Sequence, residues 1–377
     1  MFVIVISILV SALVESLFAV YGVSVERIWR VLLKIALLPV VAGLSYELLK
    51  ALAKTDSKLV LPIKLPGMLL QRITTREPEN EMLEVAIAAF NKVMELDADP
   101  SLPTEKFAVP EKCGEVTKRV QKRLAEGGIE EKAEAEWIVS IALGIRRSEV
   151  YGDTLVTPKN AEKIDGLVSG RLSGRPLWYC VGDTEFYGYK IKTDERALIP
   201  RCETEELVGA ALRRIGAEDE VLDLCTGSGA IAVAIAKKSG AKVTASDVSP
   251  EALSLAKENA ELNGAEIEFI ESDLFSALGE RKFDVIVSNP PYVKSGEIAG
   301  LQREIREFEP ILALDGGEDG LEFYRRIAAE ARAHLKEGGM LFLECGDTQA
   351  KEVAAMFEKT EIISDLEGKE RIVKAEF

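Results

Sequence analysis

Four consecutive residues, Asn289, Pro290, Pro291 and Tyr292, follow the apolar, β-branched run Val285-Ile286-Val287 and Ser288. The run has the character of a strand inside a parallel sheet. Neither proline has an N–H to donate, so strand pairing must stop there, and Pro290 biases Asn289 toward an extended conformation. A stiffened backbone therefore sits at the C-terminal end of a strand, the edge where open α/β sheets bind ligands. An amide or exocyclic amino nitrogen is a poor nucleophile because its lone pair is delocalised. Asn289, through its side-chain oxygen, and the Pro290 carbonyl are two fixed acceptors for the N–H bonds of such a group, and Tyr292 is a flat wall beside it. Holding both N–H bonds would aim the lone pair at a methyl donor, and methyl transfer from a sulfonium needs little acid–base help once the geometry is right.

A second cluster reads as a nucleotide site. Val221-Leu-Asp-Leu-Cys-Thr-Gly-Ser-Gly-Ala-Ile-Ala232 is a strand, a glycine-rich turn and a helix. Gly227 and Gly229 let the backbone turn tightly and approach a ligand. Asp247, at the end of the next predicted strand, is placed for a ribose. The loop alone leaves NAD and S-adenosylmethionine open. Asp223 favours the latter, because a carboxylate there would attract the methionine ammonium group and repel a pyrophosphate. The full G-x-G-x-x-G is also absent. Asp273, after the third strand, could meet the adenine edge.

These residues need a sheet to hold them. Beyond Leu207, strands predicted at 220–224, 242–247, 266–271, 284–288, 340–344, 361–365 and 371–377 alternate with helices, an α/β pattern with a mostly parallel, Rossmann-like sheet. Ahead of it, helices predicted over 115–126, 130–143, 148–151 and 158–174 read as a small amphipathic bundle. Period-two alternation over Leu177–Val181 and Thr184–Ile191, with Gly182-Asp183 between, predicts a β-hairpin joining bundle to sheet.

Composition narrows the chemistry. Residues 105–377 carry 37 Lys/Arg against 52 Asp/Glu, nearly all of the chain's net charge of −16. Such a body has no general attraction for nucleic acid. The five cysteines are scattered without a CxxC pair, and His334 is the single histidine. No disulfide framework, metal site or Ser–His triad is expected.

The front of the chain differs. Phe2 to Val20 is nearly continuous apolar sequence, and Val31 to Leu49 is a second such run. Each is about long enough to cross a bilayer, so at least one membrane-embedded helix is expected. The stretches LLPVVAGLSYELLK and PGMLLQRITTREP…EMLEVAIAAF resemble the C-terminal end of the uncharacterised YqhQ-like bacterial membrane proteins, over roughly 1–95. Pro100, Pro103 and Pro110 amid charge mark 95–112 as a linker.

The set LIPRCETEELV (198–208), VLDLCTGSGAIA, ASDVSPEAL (245–253), SNPPYV and FEPILALDGGEDGLEFYRRI (308–327) resembles the peptide-chain release factor glutamine N5-methyltransferases of the HemK/PrmC type, over roughly 113–377. The resemblance implies an S-adenosylmethionine-dependent enzyme that methylates the glutamine of the Gly-Gly-Gln motif of class I release factors; the apolar front end would hold it at the membrane with its catalytic domain in the bacterial cytoplasm. Asp223, the loop Cys225, Thr226, Gly227, Ser228, Gly229, then Asp247, Asp273, Leu274 and Asn289 would contact the cofactor. Asn289, Pro290, Pro291 and Tyr292 would hold the substrate amide, with Arg201, Glu203 and Glu205 in a bordering segment. The bundle, 113–176, would engage the release factor, the connector would be 177–192 and the catalytic domain 193–377. Cys225 stands in place of a glycine, Cys202 in place of a proline, and Leu274 where an aromatic ring often stacks on adenine. A base-directed amino-methyltransferase shares the clamp but would need a basic surface. A catalytically weakened, membrane-tethered binding module is the third reading.

Overall fold

The computed structural model describes residues 35–53, 80–98 and 110–377, together with residues 8, 10–14, 16, 18, 20 and 21. It divides into two units, 1–107 and 108–377.

In the first unit, α1 (Leu38–Ala53) and α2 (Asn80–Ala98) are helical. Among the described residues no helix is long and apolar enough to cross a membrane. Much of the two apolar runs expected to embed in a bilayer lies outside the described residues. So does most of the expected linker, of which 95–98 continue α2.

The second unit opens with the bundle: α3 (Cys113–Glu126), α4 (Lys132–Leu143) and α5 (Pro158–Leu172). A two-residue ribbon, β1 (Glu111–Lys112) against β2 (Leu155–Val156), ties it off. Val116, Val120 and Leu124 recur at helical spacing along α3 and meet Ile138, Val139, Leu167 and Val168 in one core. Thr157 caps α5 by accepting from the Asn160 N–H, with Pro158 in the first turn.

The expected hairpin is displaced. Leu177–Val181 is a short helix, α6, and not a strand. Its alternating apolar and aromatic residues suit either state, but the Pro176 carbonyl accepts from both Tyr179 and Cys180 N–H and closes a helical turn. The hairpin is β3 (Asp183–Phe186) and β4 (Tyr189–Lys192). Tyr187 (φ 52°) and Gly188 (φ 82°) form its two-residue turn.

The seven-stranded sheet runs β10–β11–β9–β8–β5–β6–β7. Its strands are β5 (Glu220–Leu224), β6 (Lys242–Asp247), β7 (Ile267–Glu271), β8 (Phe283–Ser288), β9 (Leu335–Glu344), β10 (Thr360–Ser364) and β11 (Glu370–Glu376). All are parallel except β11, which lies antiparallel to both neighbours. Strand order reverses at β5, which pairs with β6 on one side and β8 on the other. That is the switch point where such sheets open a crevice. Both faces are covered. Helices α7 (Cys202–Leu212) and α8 (Ala230–Ser239) pack with Val221, Val285 and Val287 on one face. On the other, Leu222, Leu224, Ile286 and Leu343 meet α11 (Glu322–Glu330) and α12 (Ala350–Ala354).

Candidate active site

The glycine loop leaves β5 through Cys225, whose φ of 60° lies in the left-handed region that favours glycine. Asp223 is fully buried below it. Its Oδ2 accepts the Thr226 hydroxyl at 2.5 Å and the Ala232 N–H at 3.0 Å, so one carboxylate oxygen pins the loop to the first turn of α8. Oδ1 has no partner, and burial pushes this carboxyl up to about 7. Asp223 does not line the cavity above the loop. Gly229 is required for close approach: a β-carbon there would lie 2.9 Å from Cβ of Ala256 in α9 (Pro250–Asn263). At Gly227 a β-carbon would meet nothing within 4 Å, leaving its backbone open to a ligand.

Asp247 closes the next strand. Its Oδ2 accepts the Gly227 N–H at 2.8 Å and its Oδ1 the Ser249 N–H at 2.9 Å, which orients the carboxylate while leaving it acceptor capacity. Burial raises its pKa. Asp273 is exposed and paired with Arg326 at 2.7 Å. Leu274 is buried at φ 50°, and its carbonyl accepts the Ser272 hydroxyl at 2.7 Å. These residues wall a cavity of about 310 Å³ that also takes in Thr226, Ser228, Asn289, Pro291 and Arg201. Phe323 and Arg326 of α11 complete it, with the guanidinium 5.7 Å from the Phe323 ring centre. Both escaped the sequence reading. Phe323 brings an aromatic ring to the cavity that Leu274 also lines.

Asn289 to Tyr292 follow directly on the end of β8. Asn289 and Pro291 line the cavity, while Pro290 is buried and Tyr292 half-buried beside it. The Asn289 amide nitrogen donates to the Thr204 hydroxyl at 3.2 Å. Among the described residues no donor reaches Asn289 Oδ1 or the Pro290 carbonyl. The segment 293–320 braces the clamp from behind. Val293 N–H donates to the Leu314 carbonyl and Gly316 N–H to the Val293 carbonyl, at 2.9 and 2.8 Å. The Gln349 amide donates to the Tyr292 carbonyl at 3.1 Å and to that of Gly320 at 3.2 Å. This gives a structural reason for the Leu-Asp-Gly-Gly…Gly-Leu stretch.

Arg201 lines the cavity and forks onto the buried Glu309 at 2.7 and 2.8 Å. Glu203 does not line it and takes a contact from the Cys202 thiol at 3.2 Å. Glu205 lies further off, accepting the Tyr187 N–H of the hairpin turn at 2.7 Å. Missed by sequence reading were Thr204 and Glu344, the last residue of β9. Glu344 is buried at 2% exposure with Oε2 unpartnered. Burial pushes its carboxyl up to about 7, with Arg371 pulling the other way. Arg171 of the bundle, itself buried, bridges Glu134 at 2.7 and 3.0 Å. It also pairs with Glu304 of α10 (Arg303–Phe308) and so fastens the bundle to the clamp's bracing segment.

Burial raises the Cys225 thiol far above its ordinary range, so it stays protonated and unreactive. His334 is away from the cavity, stacked on Phe275 at 4.7 Å, with Nδ1 3.0 Å from the Arg281 carbonyl. Among the described residues no group of three His, Cys, Asp or Glu is placed to hold a metal ion.

A parallel sheet with one reversed strand, a glycine loop answered by Asp247, and an Asn-Pro-Pro-Tyr turn at the neighbouring strand end belong to a Rossmann-like methyltransferase with S-adenosylmethionine as its cofactor. The family described as "Methyltransferase small domain" matches residues 204–368, and the one described as "PrmC N-terminal domain" matches 115–182. A release factor glutamine methyltransferase of Geobacter sulfurreducens is 45% identical over 241 residues, covering 63% of this chain and 85% of the relative. Those of Thermodesulfovibrio yellowstonii and Cereibacter sphaeroides are each 40% identical, over 252 and 264 residues. They cover 64% and 67% of this chain and 90% and 94% of the relatives. The chain belongs to the release factor glutamine methyltransferases. Residues 1–96 match the family described as "Protein of unknown function (DUF1385)", so two families are joined in one polypeptide.

Proposed function

We propose that Asn289 Oδ1 and the Pro290 carbonyl grip the two N–H bonds of the glutamine side-chain amide in the Gly-Gly-Gln motif of class I release factors, and that the cavity beside them holds S-adenosylmethionine. The observation that carries this reading is the pair of acceptors without internal donors at the end of β8, bordering a cavity walled by the glycine loop and Asp247. Thr226, Gly227 and Ser228 would cradle the methionine part and Asp247 the ribose, with Asp273 and Leu274 toward the base. Asp223 contributes the negative charge beneath the loop that suits a cationic ligand. The chemistry supplied by the bound cofactor is an electrophilic methyl on a sulfonium.

The clamp's task is to keep the amide nitrogen's lone pair directed at that methyl. With the methyl supplied by the bound cofactor, the amide would give up one proton to water. Fixed acceptors lower the barrier because they need no reorganisation during the step. Tyr292 and Pro291 pack the planar group, and Arg201 borders the entrance. The acidic body suits a protein substrate better than a nucleic acid. The test uses the full chain, radiolabelled S-adenosylmethionine and a purified class I release factor. Label on that protein, absent when its Gly-Gly-Gln glutamine is alanine, is the expected result. Label on both would overturn the assignment of the target residue.

We also infer that the first unit associates with a membrane. The apolar run Phe2–Val20 supports this, as do the exposed Leu38, Val40, Leu44 and Tyr46 of α1 and Met82, Ile87 and Phe90 of α2. Sedimentation with the membrane fraction through a high-salt wash is expected, and recovery in the supernatant would refute it.

A further inference from the structure

Two carboxylates at neighbouring strand ends line the cavity, and the backbone fixes only one of them. Asp247 ends β6, and both its oxygens accept main-chain N–H bonds, from Gly227 and Ser249. Asp273 follows β7, and its carboxylate receives no such bond. The main chain around it is well tied. Ser272 N–H donates to the Asp247 carbonyl at 2.9 Å, Ser276 N–H to the Asp273 carbonyl at 3.2 Å, and Ala277 N–H to the Ser272 hydroxyl at 3.0 Å. The Asp273 side chain is left to turn about its own two bonds. Among the described residues its one hydrogen-bond partner is Arg326, which reaches a single oxygen at 2.7 Å from another element, α11. The guanidinium is in turn carried over the ring of Phe323, three residues earlier on the same helix face and 5.7 Å from the ring centre.

We infer that Arg326 is a positioning residue that determines specificity for the cofactor's base. By holding one oxygen of Asp273, it sets the other to accept from the exocyclic amino group of adenine. The pair is poorly explained as a stabilising contact, since its side chains are 36% and 54% exposed and solvent screens their attraction. Its place explains it better: Asp273, Phe323 and Arg326 all line the cavity, on the side that Leu274 also walls. The restraint matters because of what the alternative base offers. Adenine presents N–H bonds at position 6 and an acceptor at position 1. Hypoxanthine presents an acceptor at position 6 and an N–H at position 1. An ionised carboxylate accepts and never donates, so one held against position 6 suits adenine and repels hypoxanthine. A loose carboxylate swings to the position-1 N–H of hypoxanthine and recovers the contact. Discrimination therefore comes from the arginine's hold on the carboxylate as much as from the carboxylate itself.

This role rests on the reading above that Asp273 lies toward the base, and the two fail separately. The full chain is titrated calorimetrically with two unreactive ligands, S-adenosylhomocysteine and S-inosylhomocysteine. Wild type should bind the adenosyl ligand roughly 10- to 100-fold more tightly. In Arg326→Ala the ratio should fall to within about 3-fold, in part because the inosyl ligand binds more tightly than it does to wild type. Lysine can supply the single contact that arginine makes, so Arg326→Lys should recover most of the ratio. An alanine variant that keeps the wild-type ratio would overturn the inference. So would one that weakens both ligands equally, which would make Arg326 a plain wall, or a lysine variant no better than alanine. Asp273→Asn tests the underlying reading, because an amide offers either base a donor or an acceptor. It should lose the preference. If it does while Arg326→Ala keeps the preference, Asp273 still meets the base and only the role of Arg326 falls. If it retains the preference, or if wild type does not distinguish the two ligands, both fall together.

Discussion

Gly316 lies directly on Tyr292: a β-carbon at Gly316 would come within 2.7 Å of the Tyr292 Cα and 2.8 Å of the Pro291 carbonyl oxygen. Both neighbours are backbone, so neither can swing away. The Pro291–Tyr292 backbone is thus shaped from behind by a residue that does not line the cavity. Gly316→Ala should push the Pro291–Tyr292 backbone toward the cavity, destabilise the fold by about 1–3 kcal/mol and lower kcat more than cofactor affinity. Thermal unfolding together with calorimetric titration of S-adenosylmethionine checks both parts.

Removing the amide of the clamp separates chemistry from binding. Asn289→Ala should cost roughly 10²–10³ in turnover, the scale of losing one preorganised group at a reacting centre, while cofactor affinity stays within a few-fold. A comparable loss of cofactor binding would assign Asn289 to the cofactor and not the substrate.

Asp223 gives a stability signature with a definite sign. Its carboxyl is raised to about 7 in the fold, so the stability it contributes is present at acid pH and is lost as pH climbs through that value. Asp223→Asn cannot ionise. Its stability relative to wild type should be small near pH 4 and grow to an advantage of about 1–3 kcal/mol by pH 8, as read from urea unfolding. Cofactor affinity should fall, because the negative charge below the loop is gone.

Cys225 sits at φ 60°, where side chains are strained. Cys225→Gly should leave stability within about 1 kcal/mol and keep turnover, since relief of strain offsets the extra freedom of the unfolded chain. Cys225→Val should destabilise by about 2 kcal/mol or more, because a β-branched residue resists that region. Equal melting points for the two variants would remove the strain argument.

The strands of the sheet were legible because β5 and β8 are buried on both faces and read as apolar runs that stop at glycine or proline. The turn after β8 was legible because Asn-Pro-Pro-Tyr carries its constraint locally. Leu177–Val181 was misread because alternating apolar and aromatic residues do not distinguish a strand from a short helix after Pro176. Glu344 and Thr204 were invisible for another reason. Thr204 meets Asn289 from 85 residues away, and Glu344 lies buried at the end of a different strand, so neither forms a local pattern with Asn289. Phe323 was hidden in the same way, since only the fold carries α11 to the wall shared with Leu274. Asp223 was expected at the ligand, and the structure places it one layer lower, as the pin of the loop.

Of the two acceptors in the proposed clamp, one is a side chain and the other, at Pro290, belongs to the main chain. No single substitution can delete a carbonyl oxygen from a polypeptide. Half of the grip is therefore beyond the reach of point mutation, which can only tilt it by altering the ring or its neighbours. A lineage in which this activity was no longer selected would lose Asn289 or its partners long before the other half eroded. Such descendants would still carry a proline-stiffened strand end able to hold an N–H group, a ready starting point from which a methyltransferase for some other amide or amine could be rebuilt.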